Sequence, residues 1–368
     1  MARYIYERKE WPTFKWDLKT LESSLAGIRY RQGRLLGRLE TLGFPLQDEA
    51  TLETLTQDVI KSSEIEGEKL PADQVRSSIA KRLGIEMAGE IIVNRNVEGV
   101  VEMMLDATQN YNKELSNERL FGWHSALFIT GRNGITKIKT GGWRNDAKGP
   151  MHVVSGPIGK ERIHYEAPRA LLIKGEMSKF IDWFNRNKKI DPVLKAAIAH
   201  LWFVTIHPFH DGNGRIARAI ADMQLARADE SRQRFYSMSA QIQRDRNSYY
   251  AILERTQKGD LDITEWLLWF FECLDRAISI SNEHLSDVLY KAKFWETHQV
   301  SLNERQRKII NKLLDKFDGK LTSTKYAKLT KSSPDTALRD IQDLINKQIL
   351  QKEEGGGRST SYKITDYK

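Results

Sequence analysis

Residues 193–218 read VLKAAIAHLWFVTIHPFHDGNGRIAR. Val193, Leu194, Ala196, Ala197, Ile198, Ala199, Leu201, Trp202, Phe203, Val204 and Ile206 are apolar, which predicts a helix buried on most faces at the centre of the main domain. Pro208 ends that helix, because its ring removes a donor and disfavours helical backbone at His207. Gly212, Asn213 and Gly214 then open a second helix with Ile216, Ala219, Ile220 and Met223 turned inward. Two helices meeting at a glycine-rich turn predict a mainly α fold with His207 held at the exit of a rigid element.

The turn carries chemistry. Glycines let the backbone approach a ligand, and a fresh helix N-terminus offers unpaired N–H groups to an anion. Arg215 and Arg218 lie three apart in the first turn, so both reach the same side. Two guanidinium groups there oppose the helix dipole unless an anion compensates, which points to a polyphosphate. Asp211 is an oxygen ligand suited to Mg²⁺ beside phosphates. His207, with an ordinary pKa of about 6.5, suits proton abstraction from a hydroxyl. Taken singly, each has a plainer reading: a structural histidine, a turn, a solvated pair of arginines. The fixed spacing after an apolar helix favours the joint one.

Helical periodicity extends outward on both sides. Helices are expected near 17–42, stopped by Gly43 and Pro45, and near 47–65, 72–82, 86–113 and 116–129. They resume near 178–187, 193–206, 213–228, 244–257 and 262–297. Between 131 and 168 the helical period vanishes. There Met151-His152-Val153-Val154 and Arg162-Ile163-His164-Tyr165 flank a Gly/Pro turn and predict a hairpin.

The chain of 368 residues is 40% hydrophobic and 29% charged, a globular balance with room for more than one domain. Cys273 is its single cysteine and sits in an apolar run, so no internal disulfide forms and a reducing, cytoplasmic setting is expected. No run approaches the roughly 18 to 20 apolar residues of a membrane span, and no membrane partner is expected. Of the net charge of +9, residues 303–368 hold most, with 15 Lys and Arg against 9 Asp and Glu.

Residues 207–218 resemble the signature of the Fic family, His-x-Phe-x-Asp/Glu-Gly-Asn-Gly-Arg-x-x-Arg, at every specified position. The resemblance implies a helical core that transfers AMP from ATP to a Ser, Thr or Tyr hydroxyl of a target protein, or of the chain itself, with Mg²⁺. Carried over by position, His207 is the base, Asp211 the metal ligand and Asn213 an α-phosphate contact. Arg215 and Arg218 would hold the β- and γ-phosphates, with Gly212 and Gly214 in the backbone cradle. Tyr250 and Gln257 match the segment that closes over adenine and ribose. The hairpin at 151–165 resembles the family's flap, which pins a target segment by strand addition.

Residues 62–67, Ser-Ser-Glu-Ile-Glu-Gly, match the family's inhibitory motif at Ser62, Glu66 and Gly67. Ser62 and Glu66 share a helix face, and a carboxylate near Arg218 would pair bidentately and compete with the γ-phosphate. The expected layout is an N-terminal extension with this inhibitory helix over 1–85, a Fic core over 86–298 and a winged helix-turn-helix over 303–368. Trp11, Phe14 and Trp16 should pack the extension onto the core.

The C-terminal reading rests on three helices and a hairpin tipped by Gly355-Gly356-Gly357-Arg358. DNA is a candidate partner through 303–368, but Asp335, Asp340 and Asp343 make the third helix acidic, so homodimerisation or target docking competes. Four alternatives stand beside AMP transfer. The chain could be a DNA-binding regulator, it could remove AMP from a modified target, it could transfer phosphate or another nucleotide moiety instead, or it could be a metal phosphohydrolase using His200, His207, His210 and Asp211. The last does not explain Gly212 to Arg215 or Arg218.

Overall fold

A computed structural model describes residues 2–40, 42–85, 91–133, 136–147, 149–157, 160–298, 302–314, 319–353 and 360–365. The chain divides into two compact units, Met1–Asn282 and Glu283–Lys368. That division falls inside a long helix, and residues 1–85 lie in the first unit together with the core.

The first unit runs α1 (Leu18–Glu40), α2 (Phe44–Ile65), α3 (Ala72–Leu83), α4 (Arg95–Gln109), α5 (Asn117–Leu127), β1 (Arg132–Asn133), β2 (Thr136–Lys137), β3 (His152–Ser155), β4 (Arg162–Glu166), α6 (Ala170–Arg186), α7 (Pro192–Ile206), α8 (Asn213–Asp229), α9 (Met238–Arg244) and α10 (Arg246–Gln257), and α11 (Thr264–His298) begins in it. The fold is mainly helical, as the periodicity predicts. Every side chain from Val193 to Ile206 is buried, which makes α7 the axis of the unit. Its start is fixed by Asp191, whose carboxylate accepts from Val193 N at 2.8 Å, with Pro192 in the first turn. Around it pack α6 and α8, and α8 in turn meets α4. Between α4 and α5 the approach is close: a Cβ on Gly99 would lie 1.8 Å from the Ala126 carbonyl oxygen. Trp11 and Phe14 edge onto Trp202 of α7 at 6.2 and 5.8 Å, tying the N-terminal segment to the axis. Burial pushes the Cys273 thiol up, as befits an inert core residue.

Several element ends differ from expectation, each for a local reason. Pro45 stands in the first turn of α2 and starts that helix rather than stopping the one before. The helix expected from 86 begins at Arg95, where the Asn94 side chain accepts from Asn96 N; residues 86–90 lie outside the described set. The stretch 244–257 is α10 alone, preceded by a separate α9 that breaks at Asp245. α6 begins at Ala170, a full two turns earlier than its apolar period suggested. The expected hairpin is β3 against β4, with Val153 opposite Tyr165 and a bulge between Val153 and Val154; its tip at 158–159 is not described. The short β1–β2 pair had no sequence signal.

The second unit holds α12 (Glu304–Leu314), β5 (Leu321–Thr322), α13 (Ser323–Thr330), α14 (Pro334–Asn346), β6 (Leu350–Lys352) and β7 (Ser361–Ile364). Its strands pair in the order β5-β7-β6 over a core that includes Ile309, Ile310, Tyr326, Ile341 and Leu344. The expected glycine tip at 355–358 lies outside the described residues. The acidic reading of the third helix needs correcting. Asp340 is only 7% exposed and accepts from Arg305 at 2.8 Å and from Asn303 at 3.1 Å, while Asp343 takes Gln306 at 2.7 Å. Asp340 is held within the unit, whereas Asp343 keeps a side chain 44% exposed and pairs with Lys347 as well; the outer face of α14 presents Asp335, Leu338 and Arg339.

Candidate active site

The base position is built by the way α7 stops. His207 follows the last helical residue in a left-handed conformation, φ 52° and ψ 58°, which a side chain with a Cβ adopts only where its surroundings hold it. Its Nδ1 lies 3.2 Å from the Val204 carbonyl oxygen. A carbonyl only accepts, so Nδ1 carries the proton and Nε2 keeps its lone pair. Burial lowers the His207 pKa to about 4, against a smaller opposite pull from the Val204 carbonyl. The ring is therefore neutral at pH 7 and able to take a proton.

The turn after His207 is closed from within. Phe209 N donates to Asn213 Oδ1 and Asn213 Nδ2 donates to the Phe209 carbonyl, both at 2.9 Å. The carboxamide of Asn213, expected at an α-phosphate, thus bonds the loop at Phe209, and Asn213 is itself the first residue of α8. Phe209 is fully buried and stacks on His124 with ring centroids 4.2 Å apart. Asp211 Oδ1 accepts from Gly212 N at 2.6 Å. Gly212 has φ 77°, and a Cβ there would lie 2.8 Å from the Phe128 ring, so glycine is required twice over.

Both expected phosphate arginines already hold carboxylates. Arg218 donates through Nη2 to Glu66 Oε1 at 2.8 Å and to the Ser62 carbonyl at 2.9 Å, and through Nε to Ser62 Oγ at 2.9 Å. The pair is single-pronged, not bidentate as expected: Ser62 takes the Nε–Nη2 edge, Glu66 meets Nη2 alone, and Nη1 stays without a hydrogen-bond partner among the described residues. Glu66 caps α2, and the chain turns away at Gly67 with φ 85°. A Cβ on Gly214 would lie 2.2 Å from Glu66 Oε1, so the carboxylate sits directly against the first turn of α8. That is where a helix N-terminus attracts an anion. Arg215, only 3% exposed, pairs through Nη1 with Glu68 Oε2 at 2.7 Å and lies over the Phe128 ring at 5.0 Å. Arg218 Nη1 and Arg215 Nε have no hydrogen-bond partner among the described residues, although both are buried. Buried donors left open beside a glycine seat fit a larger anion with more oxygens, such as a triphosphate.

Tyr250 lies in the second turn of α10 and Gln257 at its last residue. The Tyr250 hydroxyl is 3.4 Å from the Ile65 carbonyl at the end of α2, next to Arg246, whose Nε donates to the same oxygen at 2.8 Å. Gln257 is buried, with Nε2 3.4 Å from Thr205 Oγ1. The structure thus gathers Ser62, Glu66, Gly214, Arg218 and Tyr250 at one place. Sequence reasoning missed Glu68 and Arg144. Arg144 donates from Nε to the His207 carbonyl at 2.8 Å, and its main-chain N–H donates to the Pro208 carbonyl at 2.9 Å. An arginine in a glycine-marked loop has no periodic signal to find it by.

For a divalent cation the donor set is Asp211, a single carboxylate beside the anion seat, which fits Mg²⁺ shared with phosphate oxygens. Among the described residues no three His, Cys, Asp or Glu side chains cluster as ligands. His200, a member of the alternative metal cluster, instead lies with Nε2 2.8 Å from the Tyr249 hydroxyl against Trp266.

Three imidazoles are buried neutral here, and that has a measurable consequence. Burial lowers His124 to about 4 and His200 to about 3, alongside His207. Above pH about 6.5 these rings are neutral in both folded and unfolded states. Below it the unfolded chain takes up protons first, so stability falls with pH until the folded rings also titrate. Over its full window each ring contributes a loss of roughly 3 to 5 kcal/mol, the largest from His200. Thermal melts should therefore show Tm dropping between pH about 6.5 and 5, above the carboxylate range. A flat Tm across that interval would contradict the neutral burial of these rings.

Comparison with known proteins places this geometry. Residues 114–225 match the Fic/DOC family model, and residues 4–85 match a domain of unknown function, DUF4172. The protein adenylyltransferase Fic of Drosophila grimshawi is 26% identical over 242 residues, covering 63% of this chain and 44% of that protein. The Culex quinquefasciatus protein of the same name is 33% identical over 106 residues, covering 28% of this chain and 20% of that one. The chain thus spans less than half the length of these curated relatives. A Fic family protein from Desulfovibrio desulfuricans G20 superposes with a TM-score of 0.52 at 19% identity, covering 94% of this chain and 97% of its own. At that identity the likeness is one of fold.

Proposed function

From the premise that the chain is a Fic family protein, we propose that it transfers AMP from ATP to a Ser, Thr or Tyr hydroxyl of a target protein. The observation that carries this reading is the seat of Glu66, an anion held against Gly214 and Arg218. A neutral base stands close enough for Glu66 to act on its titration. In the reaction, the target oxygen bonds to the α-phosphorus as its proton passes to His207 Nε2. The bond from the α-phosphorus to the bridging oxygen breaks, and pyrophosphate leaves. Arg215 and Arg218 hold the departing phosphates, and the backbone N–H groups of Asn213 and Gly214 at the start of α8 hold the rest of the chain of phosphates. Mg²⁺, held by Asp211, supplies neutralisation of phosphate charge when bound. Tyr250 and Gln257 bound the nucleoside side. The family resemblance and the relatives named above support the transferred group.

The same seat supports a resting state. Glu66 holds Arg218 where the γ-phosphate would be, so ATP enters with its α-phosphate misaligned for in-line attack. Glu68 adds a second contact, on Arg215, that the inhibitory motif does not include. No helix among the described residues is long and apolar enough to cross a membrane. The reaction type is tested by offering Glu66→Gly protein ATP labelled at the α- or the γ-phosphate. Protein should retain the α-label alone; retention of the γ-label would mean phosphate transfer instead.

Glu68 makes its own prediction. Its side chain is 40% exposed, so its pair with Arg215 is a wet one, worth up to about 1 kcal/mol. Glu68→Gln should tighten ATP binding by about two- to fivefold in calorimetry. An unchanged Kd would mean that Glu68 does not compete with the nucleotide.

A further inference from the structure

Arg144 lies in the loop between β2 and β3, yet its side chain is wholly buried. Each of its polar groups has a partner. Nε donates to the His207 carbonyl at 2.8 Å, Nη1 to Asp146 Oδ1 at 2.8 Å, and Nη2 to the Pro168 carbonyl. Its main-chain N–H donates to the Pro208 carbonyl at 2.9 Å. Asp146 in turn accepts from Ala170 N at 2.6 Å, at the start of α6. One guanidinium therefore ties the base-bearing turn to the segment that leaves the β3–β4 hairpin.

The tie acts where the backbone most needs it. A helix leaves its last carbonyls unpaired, with partial negative charge gathered at that end. The His207 carbonyl at that end takes the guanidinium Nε, while the Pro208 carbonyl just beyond it takes the Arg144 main-chain N–H. His207 is also in the left-handed region, which relaxes unless neighbours overdetermine it. In that conformation its ring Nδ1 lies 3.2 Å from the Val204 carbonyl, so the turn's backbone sets the contact that places the ring proton. Two other bonds act nearby: the Tyr165 hydroxyl donates to the Thr205 carbonyl at 2.6 Å and His207 N donates to the Phe203 carbonyl at 3.0 Å, but neither engages the His207 or Pro208 carbonyl.

We propose that Arg144 is the positioning residue for the base His207: by gripping the His207 and Pro208 carbonyls it fixes the left-handed turn, and with it the ring tautomer that leaves Nε2 open. It touches no substrate. Through Pro168 and Asp146 it also couples that turn to the base of the hairpin, so a segment docked on β3–β4 is registered against the same guanidinium that aims the base. The inference rests on His207 acting as the base.

The test uses the full chain carrying Glu66→Gly, with Arg144→Gln, Arg144→Lys or Asp146→Asn added. Calorimetry gives the fraction that binds ATP and its Kd, and ¹⁵N signals of the His207 ring give the tautomer. With Arg144→Gln, AMP transfer per ATP-binding molecule should fall by about tenfold or more with Kd within about threefold. The ring signals should change from one tautomer to a mixture. Arg144→Lys keeps a cation and should recover part of both; Asp146→Asn should show the same effects more weakly. An unchanged His207 tautomer in Arg144→Gln would overturn the proposal, as would a rate lost only in proportion to the ATP-binding fraction. Because the tautomer is read without turnover, absence of AMP transfer in the Glu66→Gly chain itself would count against the function and leave the positioning role measurable. Should Arg144→Gln not fold, Asp146→Asn carries the same two readouts.

Discussion

In chain released by Glu66→Gly, His207→Ala lowers AMP transfer by about 10²- to 10⁴-fold while ATP still binds. The expectation follows from where the ring sits. Its Nδ1 is committed to the Val204 carbonyl, and burial keeps the ring neutral, with a pKa lowered to about 4. Nε2 is thus a ready acceptor at pH 7, and removing it leaves the attacking hydroxyl to lose its proton to water. Nucleotide binding rests on other groups, the first turn of α8 and the two arginines, so ATP affinity should move little. Alanine also loses the ring's contact with the Val204 carbonyl, at a cost of roughly 1 kcal/mol. A small fall in Tm is therefore expected, far too small to account for the lost rate. Loss of ATP binding in parallel with the rate would instead make His207 a structural residue of the turn.

The second large effect runs the other way. Glu66→Gly raises AMP transfer by roughly 10- to 100-fold, since a charge-assisted hydrogen bond of about 1.5–3 kcal/mol no longer opposes the γ-phosphate. Arg218 is 1% exposed at its side chain and Glu66 30%. Removing the carboxylate therefore strands a buried cation, with Nη1 already lacking a partner. The variant should be less stable than the unsubstituted chain without nucleotide and regain stability when ATP is added, because the ligand restores the missing anion. The unsubstituted chain should gain less. This pattern separates release of a seat from general loosening, which would lower Tm with and without ATP alike.

How much of this could be read from the residues depended on how local the cause was. α7 and α8 were legible because an apolar run, a proline and a glycine turn act over neighbouring residues. Asp191 and Ser116 cap their helices by the same short-range chemistry. The contact of Arg218 with Ser62 spans 156 residues, and no periodicity encodes it; only the resemblance pointed there. Glu68 and Arg144 were invisible because a charged residue in a loop reads as solvated, and burial is decided by what folds over it. Pro45 misled because the same ring that ends one helix also suits the first turn of the next. Asp340 misled similarly, an acid on a helix face that Arg305 and Tyr326 draw inward. For Asn213, the carboxamide that the resemblance gives to phosphate is held by Phe209 in this state.

What unites the site is that one helix start, with Arg215 and Arg218 beside it, needs negative charge and can obtain it from Glu66 and Glu68 or from a triphosphate. The most direct measurement is the rate at which protein acquires label from ATP labelled at the α-phosphate, compared between the unsubstituted chain and Glu66→Gly at saturating ATP. A rate at least about tenfold higher in Glu66→Gly, abolished by adding His207→Ala, is the predicted result. Equal rates in the two chains, with ATP bound by both, would contradict the claim that Glu66 holds the site at rest.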